Sequence, residues 1–354
     1  MQLLCVGDVA FADGGLPRAP WRRPGGLFSG DETRILINWE LPIGDTINPV
    51  PRVSGPRLVA HPDTPRIVES WSPGFATLAT NHILDAGTAG LAGTIEALRR
   101  IGFVTVGAGQ ARSEIARPLL WATGEGTLGL VNWVFPETHP EWLAVPGPNC
   151  WPGLAEAEGM IRELKRTTTW VLVVIHWSDE LFPYPRPQDR QIGRELARMG
   201  ADLVIGHHPH VVRGMELAGS CPVFYSIGNF YFEDFADGRG GWVVRGAPRD
   251  REGLGVEISF RRGERPRYRL LSFWNTGREV IPDPLRRAVR RMATVSRPLQ
   301  QFQDSEYAAW YGAERARFDR WGSRWHFGVR RLGLHGTMQR LLQKALQVRW
   351  SYHL

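Results

Sequence analysis

The sequence predicts an α/β fold, a layered arrangement of sheet and helices with a helical C-terminal appendage, and two observations carry that prediction. Short β-rich runs ending in polar loops alternate with helical patterns through most of the 354 residues. Beyond Asn275 the alternation stops and the pattern becomes helical and basic. The expected strands are, in order, Leu3 to Val9, Arg34 to Trp39, Phe75 to Thr80, Phe103 to Gly107, Val171 to Trp177, Ala201 to Ile205 and Val223 to Ile227. Helices are expected near Thr88 to Arg100, Leu154 to Arg166 and Pro187 to Met199. The last begins on Pro, whose missing N–H costs nothing in a first turn, and stops before Gly200, which accepts a left-handed cap. Ile258 to Arg261 and Tyr268 to Phe273 flank a Gly/Pro-containing turn and predict a hairpin. With no internal repeat and no low-complexity tract, residues 1–274 read as one catalytic-sized domain and 275–354 as an Arg/Trp-rich extension.

Composition removes several classes of function. Hydrophobic residues at 43% and charged residues at 22% are those of a folded soluble chain and not of a disordered or collagen-like one. The longest apolar run, Trp170 to Ile175, falls far short of the roughly 20 residues that a membrane span needs. The start of the chain lacks the basic and apolar regions of a secretory signal, so a cytoplasmic location is expected, with no membrane partner. Three cysteines, Cys5, Cys150 and Cys221, have no CxxC spacing and read as buried thiols. The net charge of +7 does not mark a nucleic-acid surface on the main domain, because residues 285–354 hold fourteen Lys+Arg against four Asp+Glu. That tail, with Trp310, Trp321, Trp325 and Trp350 among its arginines, reads as amphipathic helices packed on the body with a solvated Arg face. Lysines occur only at 165 and 344, neither placed for Schiff-base or pyridoxal chemistry. Gly107-Ala108-Gly109 lacks a Walker lysine and a full dinucleotide fingerprint, so no nucleotide site is expected there.

The chemistry collects where strands end. Asp8 closes the first expected strand and Glu40 follows the second; Asn81 and His82 follow the third; His176 ends another, and His207, His208 and His210 follow the next. Side chains at the carboxyl ends of neighbouring strands converge on a crevice while the sheet holds them rigid. One histidine in such a place is ordinarily a packed residue. Five strand ends that all deliver metal-capable groups predict a site. Asp179 and Glu180, after His176, read as a solvated loop, and Gly228-Asn229 as a turn.

These motifs resemble the CapA-type poly-γ-glutamate capsule-synthesis family, whose fold belongs with the calcineurin-like metallophosphoesterases. The resemblance rests on VGDVAF (6–11), LINWELPI (36–43), LATNHILDAGTAGLAGTIEALRRIGF (78–103), VGAG (106–109), VIHWSDE (174–180), GADLVIGHHPHVV (200–212) and VFYSIGNFYF (223–232). It implies metal ligands among Asp8, Glu40, Asn81, His176, His208 and His210, and a catalytic role for His82 oriented by Asp85. Two departures matter. Position 10 is Ala, so the His of an Asp-x-His is missing, and Glu40 stands where the phosphoesterases have a bridging Asp. A tightly bridged ion pair is thereby weakened, and Asp8, Glu40 and Asn81 are expected to hold one hard divalent ion, Ca2+, Mn2+ or Mg2+, leaving histidines to move protons. Trp39, Thr80 and Ser178 also depart from the family pattern and are expected at the crevice mouth.

Within that family the sequence most resembles cytoplasmic peptide epimerases that invert an α-carbon in a ribosomally made lasso-peptide precursor. Inversion needs a base on one face, an acid on the other and something to stabilise enolate charge. The expected pairs are His82 with Asp85 and His210 with Asp8, with His176 or His208 as substitutes in the second; the expected partner is a precursor peptide. Two alternatives stand beside this reading. One is a metallophosphoesterase or other metal-dependent hydrolase. The other is a non-catalytic peptide- or polyanion-binding protein that uses the Arg/Trp tail, itself a candidate cover for the crevice or grip for a substrate leader. Metal identity, substrate sequence and oligomeric state are not legible.

Overall fold

The first strand, Gln2–Ala10, is buried along all but its first residue, and its side chains divide between two cores. Leu4 and Val6 face a cluster with Leu91, Ile95 and Leu98 of the helix Gly87–Arg100, whereas Leu3 and Cys5 face Leu172 and Val174 of the strand Trp170–His176. The other face of that second strand, Val171, Val173 and Ile175, packs on Ile161, Leu196 and Tyr307. Because successive strand side chains point to opposite faces, this partition defines four layers: helix, sheet, sheet, helix. The α/β class and layered architecture expected from the sequence are those observed. The computed structural model describes residues 1–11, 32–44, 56–138, 145–236, 242–244, 246–277 and 279–321. Trp325, Trp350, Lys344 and most of the basic excess of the tail lie outside the described residues.

One sheet runs, in spatial order, Val280–Pro282, Arg267–Asn275, Glu252–Ser259, Gln2–Ala10, Thr33–Trp39, Gly74–Thr77 and Phe103–Val106, and Asn229–Phe232 pairs with the end of the first strand. The second runs Met215–Ala218, Cys221–Phe224, Leu203–His207, Trp170–His176, Gly126–Val134 and Leu119–Thr123. The central strands of each are parallel. All seven expected strands and all three expected helices occur, with ends displaced by a few residues. Within these two sheets, five strands among the described residues go beyond the expectation: Leu119–Thr123, Gly126–Val134, Met215–Ala218, Asn229–Phe232 and Val280–Pro282. In Gly126–Val134 the glycines at 126 and 129 interrupt the apolar pattern, yet Gly129 sits 3.1–3.2 Å from Leu164 and Thr168 atoms at the position a Cβ would take. Close helix–sheet packing, invisible in the sequence, is what holds it there.

The expected hairpin is present and longer, Glu252–Ser259 against Arg267–Asn275. Beyond it the helix Arg287–Gln301 places Ala288 and Met292 in the core between the sheets. Arg190 then donates to the carbonyls of Leu299 (2.6 Å) and Phe302 (3.2 Å) and lies 4.8 Å from the Tyr307 ring. The helix Asp304–Trp321 is joined in this way to the helix Pro187–Met199.

Backbones approach most closely at Gly7, immediately before Asp8. A Cβ there would lie 1.9 Å from the Gly228 carbonyl oxygen and 2.9 Å from the Phe230 amide, so only glycine admits the crossing of these segments. Gly7→Ala is expected to cost at least about 3 kcal/mol, the upper range for overpacking, because both opposing atoms are backbone. Gly93→Ala, in the helix Gly87–Arg100 at a position where a Cβ would meet nothing within 4 Å, should instead raise stability by about 0.5–1 kcal/mol. Thermal melts of the two variants check this; equal effects would contradict it.

Candidate metal centre

The parallel strands of both sheets end at one place, and the sequence-expected residues meet there. Asp8 and Glu40, from neighbouring strand ends, are fully buried carboxylates. One amide links them: Asn38 Nδ2 donates to Asp8 Oδ1 at 3.0 Å and to Glu40 Oε2 at 2.9 Å. Asn38 is itself fixed by Thr77, whose hydroxyl donates to Asn38 Oδ1 at 3.0 Å. Thr80 donates to the Glu40 carbonyl at 2.8 Å.

Asp8 is saturated by protein donors. Besides Asn38 it accepts from His207 Nδ1 (2.8 Å) and the His208 amide (3.3 Å), and pairs with His210 Nδ1 at 3.1 Å. A carboxylate has about four acceptor positions, and these contacts use them. Burial alone would raise its pKa, but the hydrogen bonds and charges of His207 and His210 outweigh burial and hold Asp8 well below the usual carboxylate range. Burial likewise opposes charge on His210, yet the Asp8 carboxylate pushes its pKa up to about 10. The expected Asp8–His210 pair is therefore formed, with Asn229 Oδ1 also 3.0 Å from His210 Nδ1.

Glu40, His176 and His208 form the second half of the site. Their ligand atoms all lie within 4.8 Å of one another, His176 Nε2 being 3.4 Å from Glu40 Oε1 and 2.9 Å from Asn81 Oδ1. Burial drives the pKa of both imidazoles well below the ordinary histidine value, so both are neutral and able to ligate. His208 Nδ1 is buried without a hydrogen-bond partner among the described residues. Neutral imidazoles, a buried carboxylate and an orphaned ring nitrogen fit a divalent cation. Glu40, His176 and His208 would hold it, with Asn81 alongside. This set is richer in nitrogen than the expected Asp8, Glu40 and Asn81, because Asp8 is occupied by its own hydrogen bonds. Among Ca2+, Mg2+ and Mn2+, imidazole donors favour Mn2+.

His82 and Asp85 form the expected dyad. His82 Nδ1 lies 2.5 Å from Asp85 Oδ2, and Asp85 also accepts from the Leu58 amide (2.8 Å) and Arg57 (3.2 Å). The carboxylate thus fixes the ring with Nδ1–H donating and Nε2 as the basic atom.

Two site residues, Asn38 and Asn229, were not expected from the sequence, and His207 was expected only as one of the strand-end groups, with no role of its own. Asn38 lies two residues before Glu40 in NWE, on the same strand face by the period of two, and that spacing was the available signal. His207 and Asn229 carry none beyond their neighbours, since any of the three histidines of HHPH could have faced Asp8. Trp39, Thr80 and Ser178 are corrected: all are buried and support the scaffold rather than line a mouth. Cys5 and Cys221 are buried as expected, with burial pushing Cys5 up and Cys221 up to about 12, whereas Cys150, expected buried, is only half-buried. Gly107 is a turn residue, with φ of 89°, pressed against Asn132.

Residues 2–234 match the bacterial capsule synthesis protein family PGA_cap. The chain belongs to that family. It is 26% identical over 260 residues to the PGA biosynthesis protein CapA of Bacillus subtilis, covering 71% of this chain and 63% of that protein. It is 26% identical over 185 residues to the capsule biosynthesis protein CapA of Bacillus anthracis, covering 50% and 44%. The chain thus spans less than two thirds of the length of either relative. A 5'-nucleotidase precursor from Thermus thermophilus aligns in space over 85% of this chain and 59% of its own, with a TM-score of 0.42 and 15% identity; so loose a likeness carries no functional argument. Among the described residues no helix is long and apolar enough to cross a membrane.

Glu40→Gln and His208→Ala in this PGA_cap chain are each expected to abolish stoichiometric Mn2+ binding, measured by equilibrium dialysis with elemental analysis, while His82→Asn retains it. Asn38→Leu, of similar size, should destabilise the fold by about 3 kcal/mol by leaving two buried carboxylates short of a donor; an unchanged denaturation midpoint would contradict the bridging role.

Proposed function

We propose that this chain is a metal-dependent peptide epimerase, inverting an α-carbon in a ribosomally made, lasso-type precursor peptide. The observation that carries the reading is the presence of two imidazole–carboxylate pairs, His82–Asp85 and His210–Asp8, whose imidazoles both lie close enough to His176 and His208 to act on their charge. A hydrolase needs one acid–base imidazole; inversion needs two, on opposite faces of one carbon.

In this scheme His82 Nε2 removes the α-proton, and Asp85 stabilises the imidazolium that forms. His210, kept protonated by Asp8, delivers a proton to the opposite face. The two rings end with their protonation states exchanged, so the reverse reaction runs through the same groups, and exchange with solvent resets them. When bound, a divalent ion supplies Lewis acidity toward a substrate carbonyl, stabilising developing enolate charge by several kcal/mol, on the order of other oxyanion contacts. The peptide substrate and the cytoplasmic location belong to this proposal.

Incubation of the Mn2+-loaded protein with a lasso precursor peptide in D2O is expected to place one deuterium at a single α-carbon. His82→Asn should slow that exchange by about a hundred- to ten-thousandfold. Absence of exchange, together with His82-dependent turnover of a phosphodiester, would replace this reading with the phosphoesterase one that the same dyad could serve.

A further inference from the structure

Five non-glycine residues among those described have a left-handed backbone, and four sit on two facing loops: Ser178 (φ 77°) and Leu181 (φ 63°) after His176, and His208 (φ 93°) and His210 (φ 57°) after His207. Such conformations cost about 1–3 kcal/mol each and persist only where surrounding contacts over-determine them. The loops are tied directly, the Leu181 amide donating to the Pro209 carbonyl at 2.8 Å and the Trp177 amide to the His207 carbonyl at 3.2 Å. Behind them lies Arg213, fully buried, which donates to the Phe182 carbonyl (2.9 Å), the Ser178 hydroxyl (2.5 Å) and the Asp179 carbonyl (2.7 Å). The Ser178 hydroxyl donates in turn to Asp189 Oδ2 at 2.6 Å. The exposed Glu180 carboxylate lies within 4.8 Å of ring nitrogens of His208 and His210.

These contacts fasten the loops from inside. From outside they are fastened by the helix Asp304–Trp321, beyond the segment shared with the PGA_cap family. Arg315 donates to Asp179 Oδ2 at 2.7 Å, and its guanidinium lies 5.2 Å from the Phe182 ring. Tyr311 and Phe318 meet the same ring edge-on at 5.3 and 5.1 Å, and Tyr307 donates to the Pro185 carbonyl at 2.7 Å. We propose that this helix is a positioning strap for the metal centre, with Arg315 as the positioning residue. Through Asp179 and Phe182 it holds the 178–182 loop, and through the Leu181–Pro209 bond it holds His208 and His210 in their strained geometry. The ion pairs and the ring contact explain why an arginine is used: its planar cation donates through separate nitrogens to Asp179 and to Asp319 (3.1 Å) while it stacks on an aromatic face.

The strap rests on the geometry of the centre and not on the reaction assigned to it, so the two can fail separately. The test compares full-length wild type with Arg315→Gln, Arg315→Lys and, as control, Arg317→Gln, whose exposed side chain pairs with Glu314 on the same helix. Hydrogen–deuterium exchange of metal-free protein should rise about tenfold across 178–186 and 207–213 in Arg315→Gln, with partial recovery in Arg315→Lys and no change in Arg317→Gln. Mn2+ affinity should fall about tenfold in Arg315→Gln, the scale of outer-shell effects. Exchange that rises only within 304–321, or unchanged in all segments, would overturn the strap. So would an Mn2+ affinity equal to wild type. Failure of wild type to bind Mn2+ would sink the metal centre while the exchange data still decided the strap.

Discussion

The site depends on one hydrogen-bonded amide. Asp8 and Glu40 are two carboxylates with no exposure to water, and Asn38 Nδ2 is the donor they share. Burying like charges side by side is costly unless each oxygen is met. Asp8 is met by protein donors and has become an organiser that holds His207, the 208 amide and His210. Glu40 keeps an oxygen facing His176. The difference between the two carboxylates, one saturated by protein donors and one with an oxygen turned toward His176, follows from which neighbours surround each.

Parallel strands ending together create this arrangement, and Gly7 lets it close. The crossing of the first strand with the Gly228 segment leaves no room for a side chain, and the register of the first strand shifts on both sides of Asp8. The irregular backbone at the site continues in the left-handed loops at 178–181 and 208–210. Regular elements supply rigidity; departures from regularity aim the side chains.

Much of this was legible in the sequence because strand runs such as Trp170–His176 are long enough and apolar enough to stand out, and because the polar residues at their ends are conspicuous against them. The His82–Asp85 pair followed from motif positions, whereas His210 was one of three histidines that the motifs allowed beside Asp8. The roles of Asp8 and Asn38 did not follow, because a carboxylate's choice between ligand and hydrogen-bond hub depends on distances that spacing does not encode. The buried scaffold roles of Trp39, Thr80 and Ser178 were hidden for the same reason. Leu119–Thr123 and Val280–Pro282 escaped notice because edge strands expose side chains such as Leu120 and Ile281 and so lack a continuous apolar run. The C-terminal helix was expected from pattern alone; its grip on the 178–182 loop rests on Arg315 contacts across 136 residues of chain.

The most direct test of the central claim is a crystal structure of the Mn2+-loaded protein with anomalous scattering recorded at the manganese edge. The account predicts one peak bounded by Glu40, His176 and His208, with the His82–Asp85 and His210–Asp8 pairs intact beside it. A peak held by Asp8 and His210, with their ion pair broken, would contradict it.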